Sequence, residues 1–242
     1  MPVTPTPLSN EHRYATALQQ AHGLANCIAQ QLQELLKNQT SAVLAVSGGK
    51  SPIAMLTALR AAPLDWERVV VTVVDERVVP AHHPDSNTQL VRTHLLQDAA
   101  SAAQFIGWFD DIDNPQVLSP EALARHANAR LGNQIKRLDI AVLGMGDDGH
   151  TASWFPNSPG LQAAMQTTEW ITWVRPIAAP HLRLTLTRHV ILQAKQLHLA
   201  IAGTNKIQVY ERAKHAPSDA LPVSSVLHNH PAHQVWIAES NL

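Results

Sequence analysis

The sequence predicts an α/β fold of the doubly wound type, with a mostly parallel β-sheet and helices on both of its faces. Short apolar runs alternate with helical patterns along most of the 242 residues, and this alternation favours a parallel sheet. Four of the apolar runs end in glycines, hydroxyls and charged side chains. Because the carboxyl ends of parallel strands share one edge of a sheet, we expect these side chains to converge on one ligand site.

The predicted strands are short apolar runs bounded by glycine, proline or polar residues, a pattern typical of strands buried on both faces. They are predicted at 42–46, 69–74, 139–143, 170–174, 197–202 and 234–238. Residues 104–108 are a further strand candidate, and 180–185 are predicted as a β segment.

The predicted helices are segments in which apolar residues recur at helical spacing. They cover residues 10–37, 52–60, 87–97, 119–134 and 204–213. Pro52 suits the first position of its helix, and Asn87 is the expected cap of the helix that follows it.

Composition bounds the class of protein. With 45% hydrophobic residues, the chain can bury a full core, so we expect a loose Pro- and Thr-rich lead-in over 1–9 and a single α/β domain over 10–242. A net charge of −1 gives no overall field that would attract nucleic acid or an anionic membrane. One cysteine, Cys27, excludes an internal disulfide. Without a signal segment or a long apolar stretch, we expect a cytoplasmic protein, either a monomer or a small homo-oligomer.

Residues 142–155, VLGMGDDGHTASWF, carry the most informative motif. The apolar run at 139–143 leads into three glycines, which let the backbone turn tightly near a ligand. His150 therefore lies beyond the carboxyl end of a predicted strand, where ligands bind in open α/β sheets. Because histidine titrates near neutral pH, His150 is a candidate general base, with Asp148 two residues away.

The same glycines match G-x-G-x-x-G, the fingerprint of dinucleotide-binding folds. That fingerprint opens a long helix, but Pro156 and Pro159 interrupt the chain soon after Gly149. The acidic residue that follows at the usual distance, Glu169, precedes an apolar run and does not end a strand. We therefore interpret this segment as a histidine loop and not as a nucleotide site.

Residues 47–52, SGGKSP, join a predicted strand to a predicted helix. Free backbone N–H groups at a helix start attract anions, and Lys50 adds a positive charge. We interpret Ser47, Gly48 and Gly49 as part of a phosphate or sugar-phosphate site, the alternative being a plain strand-to-helix turn. A P-loop is excluded, because its first glycine would fall at position 44, which is leucine.

Two further strand ends carry charge. Asp75, Glu76 and Arg77 end one strand, either as a solvated terminus or as part of a site in which Arg77 binds a phosphate or carboxylate. Lys206 follows a strand and a Gly-Thr turn in a similar arrangement. Arg183 belongs to the predicted β segment, from which it can face the site or the solvent.

Several chemistries lack their motifs. The chain has no G-x-S-x-G elbow, no H-E-x-x-H and no paired C-x-x-C, which argues against serine α/β-hydrolases, zinc proteases and zinc fingers. The histidines at 82–83 and 228–233 have no cysteines beside them, so we interpret them as surface residues and expect no metal site.

In the order and spacing of its motifs, the chain resembles the bacterial 6-phosphogluconolactonases. The matching segments are SGGKSP at 47–52, DERVVP at 75–80, DSN at 85–87, LGMGDDGHTASWFP at 143–156, RLTLT at 183–187 and AGTNK at 202–206. In the related glucosamine-6-phosphate deaminases and isomerases, the second motif resembles DEY and the histidine motif resembles DGHIAFNEP. Arg77 and Thr151-Ala152-Ser153 differ from those patterns and favour the lactonase. Lys50 stands where many family members carry serine, which leaves its role open.

The resemblance implies hydrolysis of 6-phospho-D-glucono-1,5-lactone to 6-phospho-D-gluconate, the second step of the oxidative pentose phosphate pathway. His150 would activate water, and Asp148 would orient the imidazole or bind substrate hydroxyls. No metal or organic cofactor is implied, since a δ-lactone is already reactive. The alternatives are a sugar-phosphate deaminase or isomerase and a catalytically silent sugar-phosphate-binding protein. The implied substrate-binding residues are Ser47, Gly48, Gly49, Asp75, Arg77, Arg183 and Lys206.

Overall fold

A seven-stranded parallel sheet forms the centre of the computed structural model, which describes residues 10–240. The strands of this part of the chain are β1 (Glu11–Thr16), β2 (Ala42–Val46), β3 (Val69–Val73), β4 (Asp75–Arg77), β5 (Gln104–Phe105), β6 (Ile140–Gly144), β7 (Ile171–Val174), β8 (Arg183–Leu186), β9 (Gln196–Ala202) and β10 (His233–Ser240). Its α-helices are α1 (Ala17–Asn38), α2 (Ile53–Arg60), α3 (Asn87–His94), α4 (Pro120–Gly132), α5 (Leu161–Gln166), α6 (Arg188–Leu192), α7 (Thr204–Ala213) and α8 (Ser224–Asn229). The predicted fold class is confirmed. The predicted lead-in at 1–9 lies outside the described residues.

The order of strands in the central sheet is β1-β10-β9-β6-β2-β3-β5. After β2, the chain adds β3 and β5 on one side, then returns to add β6, β9 and β10 on the other. The direction of winding therefore reverses between β2 and β6, which are paired neighbours. In open α/β sheets the crevice at such a reversal is where ligands bind. The loops that leave these two strands are SGGKSP and the histidine loop.

A second, antiparallel sheet of three strands is a correction to the single predicted sheet. Its order is β4-β8-β7, so the apolar run predicted at 170–174 forms β7 here and not a strand of the parallel sheet. An apolar run indicates a buried strand, but it does not encode which partner the strand pairs with. β4 follows β3 after one residue, and its pairing sets Arg77 directly opposite Arg183.

The helix predicted over 10–37 is wrong at its start. Residues Glu11–Thr16 form β1, and α1 begins at Ala17, where the Thr16 side chain accepts a hydrogen bond from the Gln19 backbone N–H. β1 is an edge strand of alternating exposed and half-buried residues with no apolar run. Its strand character comes from pairing with β10, a contact that no local pattern reveals.

The hydrophobic core lies on both faces of the central sheet. Every residue of β2 and β3 is buried, and α1 contributes Leu24, Ile28 and Leu32, which are at most 1% exposed.

Of the segment 104–108, only Gln104–Phe105 is strand, and the helix predicted at 87–97 ends at His94. Within residues 10–240, no helix combines the length and the apolar character needed to cross a bilayer.

Candidate active site

A cavity of about 1180 Å³ opens at the carboxyl ends of β2, β6 and β9 and beside β4. The strand ends that the sequence predicts to converge therefore meet at one cavity. The sequence-predicted residues that line the cavity are Ser47, Gly48, Gly49, Lys50, Asp75, Arg77, His150, Arg183 and Lys206.

His150 and Asp148 form a hydrogen-bonded pair at one wall of this cavity. His150 Nδ1 lies 2.5 Å from Asp148 Oδ1, and the same oxygen accepts from the His150 backbone N–H at 3.1 Å. Burial alone would raise the pKa of Asp148, but the hydrogen bond from His150 holds that pKa below its ordinary value. An ionised carboxylate only accepts hydrogen bonds, so Nδ1 carries the proton and Nε2 keeps its lone pair. Asp147, and not Asp148, lines the cavity.

The histidine loop is closed on itself by two backbone hydrogen bonds. Gly149 N donates to Gly146 O at 3.0 Å, and Gly146 N donates to His150 O at 2.9 Å. Gly149 has φ +80°, a conformation that side chains disfavour. At Gly146 a Cβ would lie 2.2 Å from His150 Nδ1. Gly146 therefore makes room for the histidine and its carboxylate, and Gly149 allows the turn that closes the loop.

One face of the His150 ring packs against Phe155, with ring centroids 4.2 Å apart. The imidazole is thus held by a hydrogen bond at Nδ1 and by an aromatic contact on its face, while its side chain stays 29% exposed. Phe155 also lines the cavity. The motif contained Phe155, but the sequence alone did not indicate this role, since an aromatic after a loop more often packs in the core.

Two arginines face each other across the β4–β8 pair. Arg183 is buried, and its Nε and Nη1 atoms have no hydrogen-bond partner among the described residues. Burial, followed by the neighbouring charge of Arg77, lowers the pKa of Arg183, although a guanidinium stays protonated at neutral pH. Arg77 Nε is also buried and unpartnered within residues 10–240. Adjacent cations, one buried and one half-buried, with free donors are typical of a site that binds an anion.

Lys50 and Lys206 add two more cations to the cavity wall. Lys206 lies in the first turn of α7, and Lys50 lies just before α2. Across the described part of the chain, neither lysine makes an ion pair with a carboxylate, and the same holds for the two arginines. Four cations that make no ion pair within the described residues therefore line one cavity, together with the carboxylates of Asp75 and Asp147.

Asp75 is fixed by two side chains that the sequence alone did not assign to the site. Its Oδ2 accepts from Ser153 Oγ at 2.5 Å, and its Oδ1 accepts from Asn87 Nδ2 at 3.2 Å. The expected cap role of Asn87 is wrong, because Ser86 caps α3 by accepting from Gln89 N. Asn87 instead ties α3 to β4 through the backbone and side chain of Asp75.

The SGGKSP turn is shaped by its neighbours on both sides. Ser47 Oγ donates to Val142 O at 2.9 Å and accepts from Gly144 N at 3.1 Å, which links the ends of β2 and β6. A Cβ at Gly48 would lie 1.7 Å from Asn87 Oδ1. The backbone of this turn therefore approaches α3 closely, and only glycine fits at position 48.

The wall contributed by α1 was not predicted. Leu18, Gln20 and Leu24 line the cavity, and Gln20 Nε2 donates to Ile201 O and Trp236 O at 2.6 Å each. Nothing in the local pattern of this helix distinguishes these residues from ordinary core positions.

In residues 10–240, no group of three or more His, Cys, Asp or Glu side chains is arranged to hold a metal ion.

Comparison with known proteins supplies a family. The sequence profile described as "Glucosamine-6-phosphate isomerases/6-phosphogluconolactonase" matches residues 15–236. The chain is 46% identical over 202 residues to the 6-phosphogluconolactonase of Pseudomonas aeruginosa, covering 83% of each protein. It is 41% identical over 221 residues to that of Neisseria meningitidis, covering 90% of this chain and 94% of the relative.

A solved structure shows the same fold. The crystal structure of a 6-phosphogluconolactonase from Shewanella baltica superposes with a TM-score of 0.88 at 36% sequence identity. The match covers 97% of this chain and 98% of that one.

Proposed function

Since the chain belongs to the family of glucosamine-6-phosphate isomerases and 6-phosphogluconolactonases, we propose that it hydrolyses 6-phospho-D-glucono-1,5-lactone to 6-phospho-D-gluconate. The observation that carries the proposal is a single cavity lined both by His150, which Asp148 orients, and by four unpaired cations. The first suits water activation, and the second suits a phosphorylated substrate. The relatives above are named for this lactonase and not for the isomerase.

The first step is attack of water on the lactone carbonyl. His150 Nε2 takes a proton from the water as its oxygen bonds to the carbonyl carbon, which gives a tetrahedral oxyanion. Asp148 keeps the imidazole in the Nδ1–H form and stabilises the imidazolium that results. A positioned base of this kind contributes roughly 10²–10⁴ in rate.

The second step opens the ring. The tetrahedral carbon re-forms its carbonyl, the bond to the ring oxygen breaks, and protonated His150 donates its proton to that oxygen. The product is a carboxylic acid, which ionises into solvent, and a free hydroxyl on the sugar chain. One histidine therefore serves as base and then as acid, and the pair returns to its starting state.

The cations bind the charged parts of the substrate. Arg183 and Lys206 are suited to the phosphate, with the backbone of Ser47, Gly48 and Gly49 at the entry to α2. Arg77 is suited to phosphate or to the developing oxyanion. The carboxylate of Asp75, held by Ser153 and Asn87, is suited to accept from a sugar hydroxyl. We also propose that no metal takes part, because one base and fixed donors meet the demands of a strained δ-lactone.

The test is the rate of lactone hydrolysis above the spontaneous background, with substrate generated in situ and excess EDTA present. Wild type, His150→Ala and His126→Ala are compared. His126 is the matched control, because it also pairs with an aspartate, Asp111 at 3.1 Å, but does not line the cavity.

We expect fast hydrolysis in EDTA for wild type and His126→Ala, and a loss of roughly 10²–10⁴ in kcat for His150→Ala. Wild-type hydrolysis at the background rate would overturn the proposal, and release of ammonia from glucosamine 6-phosphate would then be assayed. Full activity in His150→Ala would leave the reaction but remove His150 from it. Activity abolished by EDTA and restored by a divalent metal would contradict metal independence.

A further inference from the structure

Two loops outside the His–Asp pair meet beside the cavity. One loop, 78–86, joins β4 to α3, and the other, 175–182, joins β7 to β8. They are connected by His181, whose Nε2 lies 2.9 Å from Asp85 Oδ2. The second loop also lines the cavity through Ala179. The His181–Asp85 contact therefore ties together two segments that border the substrate site.

The backbone of Asp85 holds Arg77. Arg77 Nη1 donates to Asp85 O at 2.5 Å, and this is the side chain's one hydrogen bond to the described residues. Arg77 stands directly opposite Arg183, and like charges in that position repel. Without the Asp85 carbonyl, the half-buried guanidinium would be free to move away from Arg183 and from the cavity that both residues line.

Asp85 itself is fixed from two sides. Its backbone N–H donates to His83 Nδ1 at 3.1 Å, and its carboxylate accepts from His181. The two imidazoles meet edge to face, with centroids 5.7 Å apart. The hydrogen bond from His181 holds the pKa of Asp85 below its ordinary value, so the carboxylate stays charged. His181 is the member of this group that reaches from the other loop.

We propose that His181 is a positioning residue that, through Asp85, holds the Arg77 guanidinium at the cavity wall for the substrate's anionic groups. The proposal rests on the proposed function for its substrate, but not for its geometry. It predicts that loss of the His181 side chain lowers kcat/KM only through the contribution that Arg77 makes to kcat/KM. His181→Gln keeps an N–H donor at the position of Nε2 and therefore keeps the contact with Asp85.

The test is a double-mutant cycle on kcat/KM, with His181→Ala, Arg77→Ala and both together. We expect His181→Ala to lower kcat/KM about five- to twentyfold in the wild-type background and by less than about twofold in the Arg77→Ala background. His181→Gln should restore most of the loss. His126→Ala should stay within about twofold of wild type, and all variants should melt cooperatively.

An equal fold-loss from His181→Ala in both backgrounds would overturn the proposal, as would no loss in either, because His181 would then not act through Arg77. Failure of the lactonase reaction is a separate result, visible in wild type alone. In that case the same cycle is run on the dissociation constant for 6-phospho-D-gluconate by calorimetry. The same non-additivity is expected there, and its absence would overturn the positioning role.

Discussion

The His–Asp pair is built from residues only two positions apart, so one turn of the chain sets its geometry. In many catalytic sites a base and its orienting carboxylate come from distant segments. Here the backbone hydrogen bonds between Gly146, Gly149 and His150 hold the base beside its carboxylate. The pairing therefore depends on local backbone conformation more than on the packing of the sheet.

Asp148→Asn tests the orienting role. An amide can donate to Nδ1 and so favours the wrong tautomer, with the proton on Nε2. We expect kcat to fall roughly 10²–10⁴-fold, with little change in KM or in melting temperature. Asp111→Asn, in the exposed pair with His126, is the matched control and should keep its kcat. An unchanged kcat in Asp148→Asn would show that the carboxylate does not orient the base.

Gly146→Ala tests the space beside the imidazole. The added methyl would lie 2.2 Å from the His150 ring, so the ring must shift. We expect at least a tenfold loss of kcat. Gly132→Ala at the end of α4 is the control, because a Cβ there meets nothing within 4 Å. Steady-state kinetics decide the matter, and a Gly146→Ala enzyme with wild-type kcat would contradict the described loop.

At the scale of elements, Glu76 joins β4 to α3 through a buried carboxylate. It accepts backbone hydrogen bonds from Arg77, Asn87 and Thr88 at 2.6–2.7 Å, and one from the Ser86 hydroxyl at 3.1 Å. Burial raises the pKa of Glu76, against these hydrogen bonds. The residue is 2% exposed, so the solvated strand end considered from sequence is wrong for it.

Glu76→Gln should destabilise the protein. The amide NH₂ would face backbone N–H groups and leave donors unsatisfied in a buried position, at a cost of about 2–4 kcal/mol in the free energy of unfolding. Urea denaturation measures this change in the free energy of unfolding. Glu67→Gln, at an exposed position, should stay within about 0.5 kcal/mol of wild type. Equal stabilities for the two variants would contradict the proposed link between β4 and α3.

Much of the fold and site was predictable at this scale, for identifiable reasons. β2 and β6, which lie next to the site in the central sheet, are apolar throughout, and apolar runs of that length indicate buried strands. β1 is polar and becomes a strand only by pairing with β10, so local patterns favoured a helix. The antiparallel partnership of β4, β7 and β8 is likewise a long-range property.

The residues of the site also divide into those that local patterns identify and those that only long-range contacts reveal. Residues that end apolar strands, such as His150 and Lys206, were identified because topology sends strand ends to one edge. Phe155 and Ser153 lie within the histidine motif, but their partners His150 and Asp75 could be known only from three-dimensional contacts. Gln20 lies on a helix with no signal of a site, and no sequence pattern would have found it.

At the scale of the whole molecule, a buried histidine links stability to pH. His198 is fully buried in β9; its Nδ1 accepts from Trp236 Nε1 at 3.0 Å, and its Nε2 contacts Gln31 Oε1 at 2.8 Å. Tryptophan can only donate, so His198 is neutral. Burial, with a smaller contribution from His12, lowers the pKa of His198 from 6.5 to about 4.

The folded state therefore resists protonation that the unfolded chain accepts. Neutral His198 makes its full contribution to the free energy of unfolding above pH 6.5. That contribution is lost as the pH falls towards 4, and the loss amounts to about 3 kcal/mol in total. Urea unfolding at pH 7 and at pH 4 should show a smaller drop for His198→Asn than for wild type. His215→Asn, at an exposed position, should follow wild type. Parallel pH dependences for wild type and His198→Asn would contradict this assignment.

The pairing of β1 with β10 has a consequence for how the chain is made. β1 spans Glu11–Thr16, yet its neighbour in the sheet spans His233–Ser240 and is synthesised much later. More than 200 residues of chain must be closed into a loop before that pair forms, and the entropic cost of such closure slows folding. β1 therefore has no strand to pair with until β10 and the chain between them have been synthesised.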